Sequence, residues 1–120
     1  MNAKLLIDKI KNHPDYGKVG MILCHNGVVR ETSRDGRRVS GLKVKVDHEK
    51  LHQVIEENKK RPGIVEILIE IAEDKALSVG DDVMVLVVAG DFRENVINTI
   101  KDTLNEVKAN VTSKTEFYKI

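Results

Sequence analysis

Residues 83–90, VMVLVVAG, form an almost unbroken apolar run. Successive side chains of a strand point to opposite faces, so a run apolar at both parities has to be covered on both sides. The stretch therefore reads as a central strand, and the remainder of the chain has to supply neighbouring strands and helices to cover it. With 120 residues the chain is the size of one domain, spanning 1–120, and its 41% hydrophobic and 32% charged residues suit a folded globular protein.

The flanking segments supply these elements. Residues 3–12 place apolar side chains at Leu5, Leu6, Ile7 and Ile10 between charged ones, as in a short amphipathic helix, and His13-Pro14 stops it because the residue before proline disfavours helical dihedrals. Residues 18–31, KVGMILCHNGVVRE, read as a strand. The tight-turn pair Asp35-Gly36 leads to a return strand, RVSGLKVKVD, with Leu42, Val44 and Val46 on one face and Lys43 and Lys45 on the other, so a hairpin is expected. Asp47 is placed to cap a second helix with the stripe Leu51, Val54 and Ile55, ended by Arg61-Pro62-Gly63. Residues 64–73 alternate as a strand with one wet face, and DKALSVGDD is a turn-rich connection. Asp91 followed by Glu94 has the spacing of a capping box, and Val96, Ile97, Ile100, Leu104 and Val107 make residues 92–109 one helix. NVTSKTEFYKI closes the chain as a strand. The order αββαββαβ predicts an α+β fold, a mixed, largely antiparallel sheet packed with helices.

Charge and composition narrow the function. Twenty Lys and Arg against nineteen Asp and Glu give no general pull toward nucleic acid or an anionic membrane, and with no Trp, two Phe and two Tyr there is little to stack bases on. The N-terminal stretch lacks the apolar core of a signal peptide, and no segment reaches the roughly 18 apolar residues of a membrane span. One cysteine, Cys24, offers neither a disulfide nor a zinc motif and suits a reducing compartment, so a cytoplasmic protein is expected. Cys24 itself reads as a buried small hydrophobe.

Several residues carry possible chemistry. Arg93 lies in the first turn of the last helix, where free backbone N–H groups favour an anion; a solvated arginine fits the same position. Lys108 ends that helix, where a cation also offsets the helix dipole, and Lys114 follows six residues later on the returning strand, so two ammonium groups can converge. Arg30, Arg34, Arg37 and Arg38 form a local basic patch around the turn, with Arg30 on the strand itself the best placed to fork onto a phosphate. His48 and His52 share a helix face but lack a third ligand, so no metal site is expected, and Asp81-Asp82 reads as a solvated turn.

The landmarks GVVRE before a turn, VDHEKLHQVIEE, ALSVGDDVMVLVVAG leading into DFRENV, and LNEVKANVTSKTE, in that order from about Lys18 to the C-terminus, resemble the large, catalytic subunit of molybdopterin synthase. The resemblance implies an α/β hammerhead fold and a homodimer, within a heterotetramer, that binds two copies of a small ubiquitin-like subunit. Sulfur would pass from that partner's C-terminal Gly-Gly thiocarboxylate to cyclic pyranopterin monophosphate, a pterin phosphate, on the way to the molybdenum cofactor. It implies catalytic roles for Lys108 and Lys114, and substrate binding by Arg30 and Arg93, with no resident cofactor. The family's histidine before the last of these arginines is replaced by Phe92, and its Pro and Trp before the second lysine by NVTSK. A non-catalytic paralogue that binds the ubiquitin-like partner is the alternative. Fifteen residues of helix separate Arg93 from Lys108 by roughly 22 Å at about 1.5 Å per residue, so the two serve one substrate only if Arg93 arrives from a second subunit.

Overall fold

The computed structural model describes residues 2–120. In chain order it contains α1 (Ala3–Lys11), a 3-10 turn (Tyr16–Lys18), β1 (Met21–Val28), β2 (Val39–Val46), α2 (His48–Lys59), β3 (Ile64–Ile71), β4 (Leu77–Ser78), β5 (Asp82–Gly90), α3 (Arg93–Glu106), a π-helical turn (Val107–Val111) and β6 (Thr112–Tyr118). The strands make two three-stranded sheets, ordered β1-β5-β3 and β4-β2-β6, and all their pairings are antiparallel. The fold is α+β as expected, divided over two sheets in a molecule extending 52 × 25 × 23 Å. Among the described residues no helix is long and apolar enough to cross a membrane.

β5 is central and doubly covered. Val85, Val87 and Ala89 pack on Leu6 and Ile10 of α1, while Leu86 and Val88 pack with Ile67 against Val96 and Ile100 of α3. Each such side chain, fully buried, contributes up to about 1.5–3 kcal/mol. The α1 helix starts on Asn2, whose side chain accepts from Lys4 N at 2.9 Å, and α2 on Asp47, which accepts from Lys50 N at 3.1 Å. Gly63 (φ +79°) supplies the left-handed turn after α2. The α2 stripe divides between two clusters: Ile55 faces the sheet under α3, and Leu51 and Val54 pack toward Met84, Val107 and Val111.

Three local expectations are corrected. β1 and β2 do not form a hairpin: β1 pairs with β5, β2 with β4 and β6, and only the Thr32–Arg38 bridge closes the turn containing Gly36 (φ +87°). The side chains explain the divergence. β1 is apolar on both faces, with Ile22 and Cys24 toward α1 and Met21 and Leu23 toward α3, so it belongs beside β5. β2 exposes Lys43 and Lys45 and suits a sheet covered on one side. The capping box at Asp91 also fails to form. Its Oδ1 accepts from Phe92 N (2.6 Å) and Asn95 Nδ2 (2.8 Å), and the helix begins one residue later with Phe92 as N-cap. Finally, α3 ends at Glu106, short of residue 109, and widens into the π-helical turn, whose Val107 and Val111 are buried.

Where α3 ends, it is tied to α2. Asn58, 4% exposed, donates from Nδ2 to Val54 O (2.8 Å) and to Glu106 Oε2 (2.7 Å), and Arg61 Nη1 reaches Asp102 Oδ2 at 3.0 Å. These bonds fix the helix end from which Lys108 projects.

Candidate functional site

A cleft of about 710 Å³ is lined by strands of both sheets and by the turn that follows α3. Its apolar wall comes from Leu42 and Val44 of β2, Ile71 of β3, and Val83 and Met84 of β5. Its charged lining is Arg30, Arg34, Lys108 and Lys114, with Glu116 as the one carboxylate. Four cations against one carboxylate make the cleft locally positive in a chain whose net charge is only +1.

Each side chain arrives for a structural reason. The π-helical turn buries Val107 and Val111 and leaves Lys108 exposed between them. Strand β6 starts immediately afterwards, and its pairing with β2 sets Lys114 opposite Val44 and Glu116 opposite Leu42, on the cleft face. Lys114 Nζ lies 3.7 Å from Glu116 Oε1. Arg30 is exposed and stands in the connection after β1, not on the strand as expected; its Nε donates to Thr32 O at 2.7 Å, which holds the guanidinium at the cleft.

His25 and Glu116 are the titratable cleft residues that no sequence motif singles out. On β1, His25 shares parity with Met21 and Leu23, which face α3, and it pairs directly with Leu86, which faces the same way. α3 follows β5 and runs back along it, so its end lies over the His25 end of β1. Burial lowers the imidazole pKa below 6.5, and the nearby Lys108 charge lowers it further. Both effects favour the neutral ring.

The other residues lie elsewhere. Arg93 is exposed at the opposite end of α3 and does not line the cleft, in keeping with the length of the helix. Phe92 beside it is 67% exposed. Arg37 lies over the Tyr118 ring, 3.5 Å from its centroid, outside the cleft. His48 is exposed and bonded to Glu73 (2.8 Å), which raises its pKa, and His52 is exposed. Cys24 faces α1, and burial raises its thiol pKa. Asp81 accepts from Ser78 N at 2.8 Å, and Asp82 from Asn26 Nδ2 at 3.0 Å. Among the described residues no three His, Cys, Asp or Glu side chains converge to hold a metal.

Two antiparallel sheets packed with helices, with a cleft between them lined by four cationic side chains, define a small α+β domain. The profile of the MoaE protein family matches residues 1–110, and the chain belongs to that family. Its fold is that of molybdopterin synthase from Staphylococcus aureus (TM-score 0.72, 21% identity, covering 85% of this chain and 77% of that one). It is also that of molybdopterin cofactor biosynthesis protein E from Burkholderia multivorans (TM-score 0.78, 18% identity, 99% and 82%). A third similar structure is a complex of subunits 1 and 2 of molybdopterin-converting factor from Helicobacter pylori (TM-score 0.72, 16% identity, 98% and 84%). No curated protein matches the sequence.

Proposed function

We propose that the chain is the catalytic subunit of a molybdopterin synthase, a cytoplasmic sulfurtransferase that moves sulfur from the thiocarboxylated C-terminus of a small ubiquitin-like subunit to cyclic pyranopterin monophosphate. The observation that carries this reading is the meeting of Lys108, Lys114 and Arg30 in one cleft. A thiocarboxylate and a phosphate are both anions, and the cleft offers two ammonium groups and guanidinium forks beside an apolar wall suited to a flat heterocycle. Arg30 holds the substrate phosphate, while Lys108 and Lys114 act at the pterin and against the incoming tail. Family membership and the resemblance of the fold to molybdopterin synthase structures support the assignment.

Arg93 joins this site only from a second copy of the chain, so the working assembly is a homodimer carrying two small subunits. The test is a turnover assay with the purified chain, a thiocarboxylated small partner and cyclic pyranopterin monophosphate, with Lys108→Ala in parallel. Product is expected from the native chain, with a loss of at least about 100-fold in the variant, the scale of a missing proton-transfer or electrostatic group. Native-level turnover by Lys108→Ala refutes the role of that lysine.

One observation favours a second reading. Phe92, exposed beside Arg93, stands where the resemblance calls for histidine. A chain that docks the ubiquitin-like partner without chemistry binds it and yields no product.

A further inference from the structure

We propose that His25 is the proton acceptor of this cleft, a catalytic residue that deprotonates the water attacking the acyl carbon of the sulfur donor. The role rests on the sulfur-transfer reading. Once the donor sulfur is bonded to a substrate carbon, the acyl group and the substrate share it as a thioester. Sulfur stays with the substrate only if the acyl C–S bond breaks. Water supplies the oxygen: a C–O bond forms at the acyl carbon, and the C–S electron pair leaves on sulfur as substrate thiolate. The partner's tail departs as a carboxylate. One proton of the water passes to His25 and the other is released from the new acid to solvent. No oxidation state changes, so no redox partner is required.

The cleft has few groups able to take that proton. Lys and Arg side chains offer hydrogen-bond donors and no acceptor while charged. Around His25, the π-helical turn presents Lys108, the connection after β1 presents Arg30 and Arg34, and β6 presents Lys114 and Glu116, whose carboxylate faces Lys114 at 3.7 Å. From β5 come the apolar Met84 and Leu86. Burial and the nearby Lys108 charge both favour the neutral ring of His25. A neutral imidazole next to a fixed cation accepts a proton at neutral pH and sheds it readily afterwards, which suits a base that has to be regenerated each turnover. A Cβ at Gly27 would lie 3.4 Å from His25 Nε2, in ordinary van der Waals contact.

Two measurements test the proposal. The first follows imidazole titration by NMR in the native chain and in Lys108→Met, with His25→Phe identifying the signal. A midpoint below 6.5 that rises when the Lys108 charge is removed is expected; a midpoint at or above 6.5 with no response to Lys108→Met overturns the placement. The second is the pH–rate profile of product formation by native chain, His25→Phe and His25→Gln with partner and substrate. Native rate is expected to fall as pH drops through the His25 midpoint, and both variants to lose that acid limb and about 10²- to 10⁴-fold in rate while binding the partner as before. A native chain that turns over, beside variants that keep its rate and acid limb, overturns the role of His25 alone. A native chain that binds the partner and makes no product overturns the sulfur-transfer reading and the proton step with it.

Discussion

Asn58→Ala tests what holds the lysine-bearing end of α3 in place. The Asn58 side chain is almost wholly buried and joins α2 to Glu106, two residues before Lys108. Its 2.7 Å bond to the Glu106 carboxylate is charge-assisted, a class that contributes about 1.5–3 kcal/mol net. Glu106 is half-buried, which brings the figure to the lower part of that range. The 2.8 Å bond to Val54 O is neutral and adds about 0.5–1 kcal/mol. The expected loss is therefore about 2–3 kcal/mol, seen in urea unfolding as a lower midpoint with an unchanged slope. For a domain of this length it lowers Tm by roughly 8–12 °C. A double-mutant cycle with Glu106→Ala isolates the interhelical bond, with an expected coupling of about 1–2 kcal/mol. Coupling below about 0.3 kcal/mol refutes the claim that this bond ties the helices. A cycle that shows the coupling, together with turnover unaffected in Asn58→Ala, refutes its importance for placing Lys108.

Further outcomes follow from other parts of the fold. Gly41→Ala places a Cβ well inside van der Waals distance of the Leu77 carbonyl oxygen, so it is expected to destabilise by about 1–3 kcal/mol and to loosen the short β2–β4 pairing, measured by urea unfolding and amide exchange; a neutral effect contradicts the close approach. Glu73 raises the His48 pKa, so Glu73→Gln is expected to return the His48 midpoint toward 6.5 in an NMR titration. A raised folded-state value means that the stabilisation from this pair is present just below pH 6.5 and is lost as pH rises through the folded midpoint; a native-minus-variant stability difference growing with pH contradicts it. Mixing Arg93→Ala with Lys108→Ala chains in one preparation is expected to restore up to about a quarter of native turnover, because half of the chains then sit in mixed dimers with one of two sites intact. No recovery after confirmed subunit exchange refutes a cleft shared between two copies.

Much of the fold was legible where periodicity and end signals agree. The 3.6-residue stripes of α1 and α2, with Asp47 capping the second, appear as expected, and the apolar run around Leu86 is the doubly covered strand. The hairpin, the capping box and the far end of α3 are not decided by the local signals that point to them. Asp35-Gly36 does make its turn, but turn chemistry does not choose the strand a neighbour pairs with, and the two-faced apolarity of β1 outweighed adjacency in sequence. Asp91 and Glu94 have capping-box spacing, yet the Asp91 carboxylate is taken by Phe92 N and Asn95. That Lys108 and Lys114 line one cleft follows from the continuity of the helix end and the returning strand.

His25 was hidden because a lone histidine in an apolar strand has no spacing partner. Its meaning depends on parity. A slip of β1 by one residue against β5 would turn Cys24 toward the cleft and press His25 against Leu6 and Ile10, since side-chain direction alternates residue by residue. The register is pinned at the far end, where Gly20 N donates to Gly90 O at 2.8 Å and any Cβ at Gly20 would collide with the Asp91 carbonyl. At the near end the pairing shifts between Gly27 and Val28, so the regular ladder stops just beyond His25. This register, and not any contact in the cleft, sets which of two adjacent residues, a thiol or an imidazole, lines the cleft. Gly20→Ala is therefore expected to disturb the β1–β5 ladder, read as faster amide exchange along β1; unchanged exchange contradicts the close approach.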